Sequence, residues 1–218
     1  SATVIMVLGI ALICSSMLFA AGTDDPQLAA KLGSLIDPGG WAGYLAAAAQ
    51  VTAAASLLGY GMVLSWLFGR EFADGTITGL FALPVSRPAI AGAKLLVYSL
   101  WTLTSSALLV LALVVFGVAF GLGAPSIDAL PAIGRQFVLA VLTAAIATPV
   151  AWTTTLGRSV LTGVGTTVGI LVISEVAIIS GAGGWSTFSA PGLWAVSGGT
   201  SVSVLQLALV IPLVGISI

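Results

Sequence analysis

Charged side chains, which could pair with one another or with charged groups of a partner, concentrate in one short stretch of this chain. The stretch reads GREFADGTITGLFALPVSRP, residues 69–88, and it contains Arg70, Glu71, Asp74 and Arg87, with Lys94 just beyond. The whole chain has only six Lys and Arg and seven Asp and Glu in 218 residues. Two long apolar runs flank the stretch. Its charge therefore predicts that the chain leaves an apolar environment here and enters water.

The remaining reactive side chains are too few to predict an enzyme. There is no His, which removes the commonest general base and metal ligand, and Cys14 is the only cysteine. A membrane-embedded enzyme, such as a lipid-modifying transferase or a protease, would need acids, bases or thiols at one depth, and only Glu175 and Arg135 are candidates. We therefore predict no catalytic residues, no metal site and no cofactor in this chain. The net charge of −1 gives no reason to expect a nucleic-acid partner.

The composition predicts that lipid surrounds most of the chain. Apolar residues make up 59% of it and charged residues 6%, against about 25% charged residues in soluble domains. Apolar runs of roughly 17–25 residues can cross a bilayer as helices. We predict an all-α integral membrane protein with one transmembrane domain, residues 1–218, and a kink at Pro149. Its six spans are about 3–21, 41–68, 89–120, 132–156, 160–180 and 202–218. The chain does not begin with Met and ends at Ile218 inside an apolar run, so we expect terminal segments beyond it.

Between the second and third spans, the pattern predicts a short amphipathic helix over about residues 75–83. Asp74 or Thr76 can cap its first turn, and Gly75 permits a sharp turn out of the preceding span. Ile77, Leu80 and Phe81 share one face, and Pro84 ends the helix. Ser86 and Pro88 then predict the start of the next helix. On this pattern alone, the segment could also be a membrane-surface hairpin that only ties two helices together.

The distribution of Lys and Arg predicts which side faces the cytoplasm. In a six-span chain, one side has Arg70, Arg87, Lys94 and Arg158. The other side has Lys31 and Arg135, accompanied by Asp24, Asp25, Asp37 and Asp128. Because cytoplasmic loops carry an excess of basic residues, the first side and both termini are predicted to be cytoplasmic.

The charged stretch resembles a family signature, "E…GT…L…LP.SR…..K", of permease subunits of the type-two ATP-binding cassette exporters, also called type V exporters. The matching residues are Glu71, Gly75, Thr76, Leu80, Leu83, Pro84, Ser86, Arg87 and Lys94. The resemblance implies a six-span fold in which this segment is a cytoplasmic coupling helix that docks into an ATPase subunit. The residues it implies for coupling are Glu71, Asp74, Gly75, Thr76, Leu80, Phe81, Pro84 and Arg87.

ATP is not expected to bind to this chain itself. No G-x-x-x-x-G-K-[ST] loop is present, so ATP and Mg would bind to a partner ATPase. The resemblance then implies two permease copies, predicted here as a homodimer, with two ATPase copies in a bacterial inner membrane. The predicted function is ATP-driven export of a hydrophobic or amphipathic solute. The alternative is a non-transporting sensor or scaffold subunit of an ATPase complex.

Apart from Lys94 near the start of the third, two charged residues lie within predicted spans, Glu175 in the fifth and Arg135 at the start of the fourth. Such residues are costly at membrane depth and therefore indicate a role. One interpretation is an ion pair between them that pins two helices together. The other is that Glu175 lines an external gate or a substrate route.

Small residues predict close helix contacts. Gly117-x-x-x-Gly121 and Gly165-x-x-x-Gly169 permit packing within the bundle or at a homodimer seam. The resembled exporters use their second and fifth spans at the permease interface and pathway, which makes Ala54, Gly61, Gly165 and Gly169 pathway candidates together with Ala47. The uncharged, Trp-containing segment 181–199 is predicted to be re-entrant or interfacial.

Overall fold

The computed structural model describes residues 2–21, 40–77, 79, 84–210 and 212. Within these residues the chain is helical and has no strand. The helices are α1 (Ala2–Ala21), α2 (Gly40–Ala73), α3 (Arg87–Gly117), α4 (Leu130–Ile146), α5 (Pro149–Gly157), α6 (Val160–Ile179), α7 (Ala190–Val196) and α8 (Val204–Ala208). A π-helical turn, Val118–Leu122, extends α3, and a 3-10 turn, Ile127–Ala129, precedes α4.

Four helical segments of the described chain are long and apolar enough to cross a membrane: Gly40–Ala73, Arg87–Leu122, Ile127–Gly157 and Val160–Ile179. They correspond to the second through fifth predicted spans, although the second continues to Ala73 instead of ending near residue 68. In the first predicted span, the 20-residue α1 has a shorter apolar stretch, Thr3–Ser16. Most of the sixth predicted span lies outside the described residues, so six spans remain a prediction.

The long helix α2 is the centre of the bundle. It packs against α1, α3, α4, α5, α6 and α7, and its buried face is rich in Ala, Gly and Ser. Polar side chains fasten it to its neighbours: the hydroxyls of Tyr60 and Ser106 share a hydrogen bond of 3.1 Å, and Gln136 Nε2 donates to the Ala48 carbonyl at 3.3 Å. In lipid, such interhelical hydrogen bonds and close packing replace the hydrophobic effect as the cause of helix association.

Four basic residues lie at one end of the bundle, which we call the basic end: Arg70, Arg87, Lys94 and Arg158. Lys94 contacts the last turns of α2, and Gly69 lies directly against Val160, two residues after Arg158. Arg135 lies at the opposite end, in a cavity with Trp41 near the start of α2. The 34 residues of α2 separate these ends by about 50 Å, at 1.5 Å per residue. Lys31 and the acidic residues of the 22–39 segment lie outside the described residues.

The predicted kink at Pro149 is confirmed. Helix α4 ends at Ile146 and α5 begins at Pro149, because proline has no N–H to donate and its ring blocks the preceding turn. The Thr148 N–H donates to the Ala145 carbonyl at 3.1 Å, which leaves the Ala144 carbonyl without that partner. The Tyr98 hydroxyl of α3 donates to the Ala144 carbonyl at 2.9 Å and so satisfies the opened turn.

Replacing Tyr98 with Phe is therefore expected to destabilise the bundle. Tyr98 is 4% exposed, and an unpaired buried carbonyl costs about 1–3 kcal/mol. The measurement is the thermal unfolding midpoint of the purified protein in detergent. Ser99→Ala is the control, because the exposed Ser99 hydroxyl donates only to Leu95 of its own helix. Equal midpoints for Tyr98→Phe and the unmodified protein would show that this hydrogen bond does not hold the kink.

Candidate functional site

The charged stretch forms the connection between α2 and α3 at the basic end. Helix α2 continues past the predicted end of its span, so Glu71 lies on its last turn. Residues Asp74–Thr76 then turn, with Gly75 at φ +69°, a conformation that favours glycine. Ile77 and Gly79 are helical. Leu80 and Phe81, and with them most of the predicted 75–83 helix, lie outside the described residues, so the coupling helix remains a prediction.

The start of α3 follows the sequence prediction. The Ser86 hydroxyl accepts a hydrogen bond from the Ala89 N–H at 3.4 Å, and Pro88 occupies the first turn of the helix. Asp74, Gly75, Thr76, Pro84 and Arg87 are all exposed at this connection. Predicted coupling residues within the described chain, apart from Glu71, are thus at the surface, where a partner could reach them.

Lys94 joins the last turns of α2 to the start of α3. Its Nζ forms an ion pair with Glu71 Oε2 and donates to the Leu67 carbonyl at 3.0 Å. The ammonium also lies 5.1 Å from the centre of the Phe68 ring, within the range of a cation–π contact. The side chains of Lys94 and Glu71 are only 16% and 15% exposed. Glu71 therefore fixes the base of the connection, instead of presenting a free carboxylate to a partner.

Two of the predicted pathway residues, Glu175 and Ala54, line the same cavity. This cavity of about 330 Å³, which we call the Glu175 chamber, lies between α2, α4, α6 and the segment Phe188–Val196. Helix α7 packs against α2 and α4, and so part of the uncharged 181–199 segment closes one side of the chamber. The sequence placed Glu175 and Ala54 on different spans, and the structure brings them together.

The predicted ion pair between Glu175 and Arg135 is wrong. Arg135 lines a different cavity of about 440 Å³, together with Asp128, Gln136 and Trp41, at the opposite end from Lys94. Among the described residues, the ion pair within 4.0 Å is that of Lys94 and Glu71. Because α7 lies against both α2 and α4, it separates the two cavities, and its Val196 borders each of them.

The other pathway candidates are packed differently from the prediction. Gly61 is buried against Thr167 and does not line the Glu175 chamber. A Cβ built on Gly165 or Gly169 would meet no atom of the described residues within 4 Å, so this motif makes no close contact with that part of the chain. Gly117 does make one, because its Cβ would lie 2.6 Å from the Trp41 ring, whereas Gly121 adopts φ +97° in the π-helical turn.

Sequence reasoning missed Gly163, which makes the closest contact in α6. A Cβ there would overlap the hydroxyls of Thr154 in α5 and Ser65 in α2. The signal in the sequence that could have indicated this contact is the position of Gly163 in the Gly-rich run 163–169. No group of three or more His, Cys, Asp or Glu that could bind a metal occurs among the described residues.

Residues 1–174 match the family model of the ABC-2 family transporter proteins. The chain belongs to this family. It also resembles the bacitracin transport permease protein BCRB of Bacillus licheniformis, with 40% identity over 42 residues. That match covers 19% of this chain and 20% of the relative, so it spans about a fifth of either protein. No solved structure matches the chain.

Membership in the ABC-2 transporter family agrees with the four helical segments of the described chain that are long and apolar enough to cross a membrane. The matched region includes the whole connection between α2 and α3. It includes the lysine–glutamate pair at the base of that connection, and it ends one residue before Glu175. The resemblance drawn from the signature residues is thereby confirmed at the level of the family.

Proposed function

We propose that this ABC-2 chain is the permease of an ATP-driven exporter in a bacterial inner membrane, with six spans and both termini in the cytoplasm. It moves a hydrophobic or amphipathic solute outward, and two ATPase subunits, which bind ATP and Mg, drive two permease copies. The observation that carries the proposal is the connection between α2 and α3 at the basic end. Its described residues after Glu71 include several that are exposed, and the ion pair of Lys94 and Glu71 joins the two helices beside them.

A coupling element has to be rigid at its base and exposed at its tip. The Lys94 contacts with Glu71, Leu67 and Phe68 tie α2 and α3 together where they leave the bundle. A push on the exposed residues of this connection, such as Asp74, Thr76 and Arg87, would then move two long helices as a unit. Since α2 contacts six other helices, such a movement would reach the whole bundle.

The function is tested with the chain and its ATPase purified together and reconstituted into vesicles. We expect ATP-dependent movement of a solute into inside-out vesicles, with hydrolysis stimulated by that solute. Bacitracin is the first compound to try, because the relative is named for its transport. An assembled complex whose hydrolysis responds to solutes but moves none of them would favour the sensor or scaffold alternative.

The orientation is tested by labelling single cysteines in a Cys14→Ser background. Pro84→Cys lies in the exposed connection, and Ile127→Cys is its control at the opposite end, where Ile127 is 83% exposed. A membrane-impermeant maleimide added to intact spheroplasts is expected to label Ile127→Cys at once and Pro84→Cys only after lysis. Labelling of Pro84→Cys in intact spheroplasts would place the connection outside and contradict the proposal.

A further inference from the structure

The Glu175 chamber has the size and lining of a small-molecule site. Its volume of about 330 Å³ lies in the range of ligand pockets, about 300–1,000 Å³. Most of its wall is aliphatic, from side chains such as Leu57, Ile146 and Leu171, and Phe188 adds an aromatic ring. A few polar groups interrupt this wall, which is the arrangement that orients a ligand inside an otherwise apolar pocket.

The polar groups of the chamber are mainly hydrogen-bond acceptors. The hydroxyls of Thr143, Ser174 and Ser189 donate to the carbonyls of Leu139, Ile170 and Gly183, at 2.8–2.9 Å. Their protons are thus already used, and their oxygens can only accept a further hydrogen bond. Glu175 adds a carboxylate, which accepts when ionised. Apart from the Gln50 amide, the lining therefore favours ligands that donate hydrogen bonds or carry positive charge.

Glu175 is the ionisable residue of this lining and has no cationic partner among the described residues. Arg135 borders the neighbouring cavity, and the other described basic residues lie at the basic end. A carboxylate within a membrane-spanning helix is costly and is usually retained for a function. An exposed carboxylate that opens into an apolar chamber attracts cations and repels anions of the same shape.

We propose that the Glu175 chamber binds the positively charged group of an amphipathic solute, with its apolar part against Leu57, Leu171 and Phe188. The inference rests on the proposed export function and names its substrate class, amphipathic cations. Glu175 supplies the negative charge that pairs with the cation. The hydroxyl oxygens of Thr143, Ser174 and Ser189 accept hydrogen bonds from the solute's N–H groups, or lie against its cationic centre where that centre is quaternary.

The test measures equilibrium binding of radiolabelled tetraphenylphosphonium to the permease–ATPase complex in detergent. Saturable binding is expected, weakened about tenfold or more in Glu175→Gln. Glu175→Asp keeps the charge and is expected to retain more of the affinity than Glu175→Gln. Asp128→Asn is the matched control, because Asp128 is an acidic residue of the other cavity. The affinity of this variant for tetraphenylphosphonium is expected to equal that of the unmodified complex.

Tetraphenylborate has the shape of tetraphenylphosphonium and the opposite charge. It is expected not to compete with tetraphenylphosphonium for the chamber. Three results would overturn the inference: no saturable binding, equal affinity in Glu175→Gln and the unmodified complex, or competition by tetraphenylborate as strong as that by the cation. Size-exclusion profiles and basal ATP hydrolysis establish that each variant is assembled before its affinity is read.

The same complexes, reconstituted into vesicles for transport measurements, separate this inference from the proposed function. ATP-driven transport of a neutral solute without cation binding would overturn only the substrate class. Cation binding at Glu175 without ATP-driven transport of any solute would overturn the export function while assigning the chamber as a binding site.

Discussion

Replacing Lys94 with Met is expected to lower ATP-driven transport by about tenfold or more, a change that corresponds to about 1.4 kcal/mol. The substitution removes the ammonium from Glu71 and from the Leu67 carbonyl, while it keeps most of the side chain's length. Because Glu71 is largely shielded from water, its carboxylate is left without a partner in the last turn of α2. Breaking such a buried pair costs about 3–5 kcal/mol, and the slight exposure here favours the lower end. The measurement is the transport rate at saturating ATP in vesicles.

A double replacement separates loss of the connection from loss of the fold. Glu71→Gln with Lys94→Met removes both charges, and we expect it to recover thermal stability relative to Lys94→Met alone. Transport should stay low, because no ionic contact then ties α2 to α3. Arg70→Ala is the control at the same end, since Arg70 is exposed and stacks on Trp66 of its own helix. Normal transport by the Lys94→Met complex would show that the pair does not transmit the movement.

The sequence predicted the elements of this site better than their contacts. Composition and run length predicted four of the described helical segments that are long and apolar enough to cross a membrane, because that requirement depends on apolar length. Local chemistry predicted the Ser86 cap, the Gly75 turn and the Pro149 break, since each depends on one residue and its immediate neighbours. The signature also contained Glu71 and Lys94, but pairing residues 23 positions apart depends on how two helices lie together.

Predictions that depended on which faces of two helices pack against each other were less successful. The Glu175–Arg135 pair assumed that two neighbouring helices meet at those residues, whereas α7 lies between their cavities. Gly165 and Gly169 fit a spacing known to favour close packing, yet they leave open space on α6. Spacing gives the residues that share a helix face, and it does not give the neighbour that this face meets.

Gly163 gives a direct test of that distinction. Gly163 and Gly165 are two residues apart on α6. A side chain at Gly163 would enter the contact between α2, α5 and α6, where Ser65 Cβ would be 2.8 Å from the added Cβ and both Ser65 and Thr154 are fully buried. A side chain at Gly165 would enter open space. The contact leaves no room for a side chain at Gly163, because the hydroxyls of Ser65 and Thr154, which donate to carbonyls of their own helices, already occupy the space of a Cβ.

Gly163→Leu is therefore expected to destabilise the protein by about 3 kcal/mol, the upper part of the usual range for overpacking, because backbone and neighbouring helices must move apart. Gly163→Ala should have a smaller effect in the same direction, and Gly165→Leu should unfold at the midpoint of the unmodified protein. Thermal unfolding in detergent, followed by the fluorescence of the native Trp residues, measures all three. If Gly165→Leu were the more damaging change, the open face of α6 would be the packed one, and the arrangement of α2, α5 and α6 described above would be wrong.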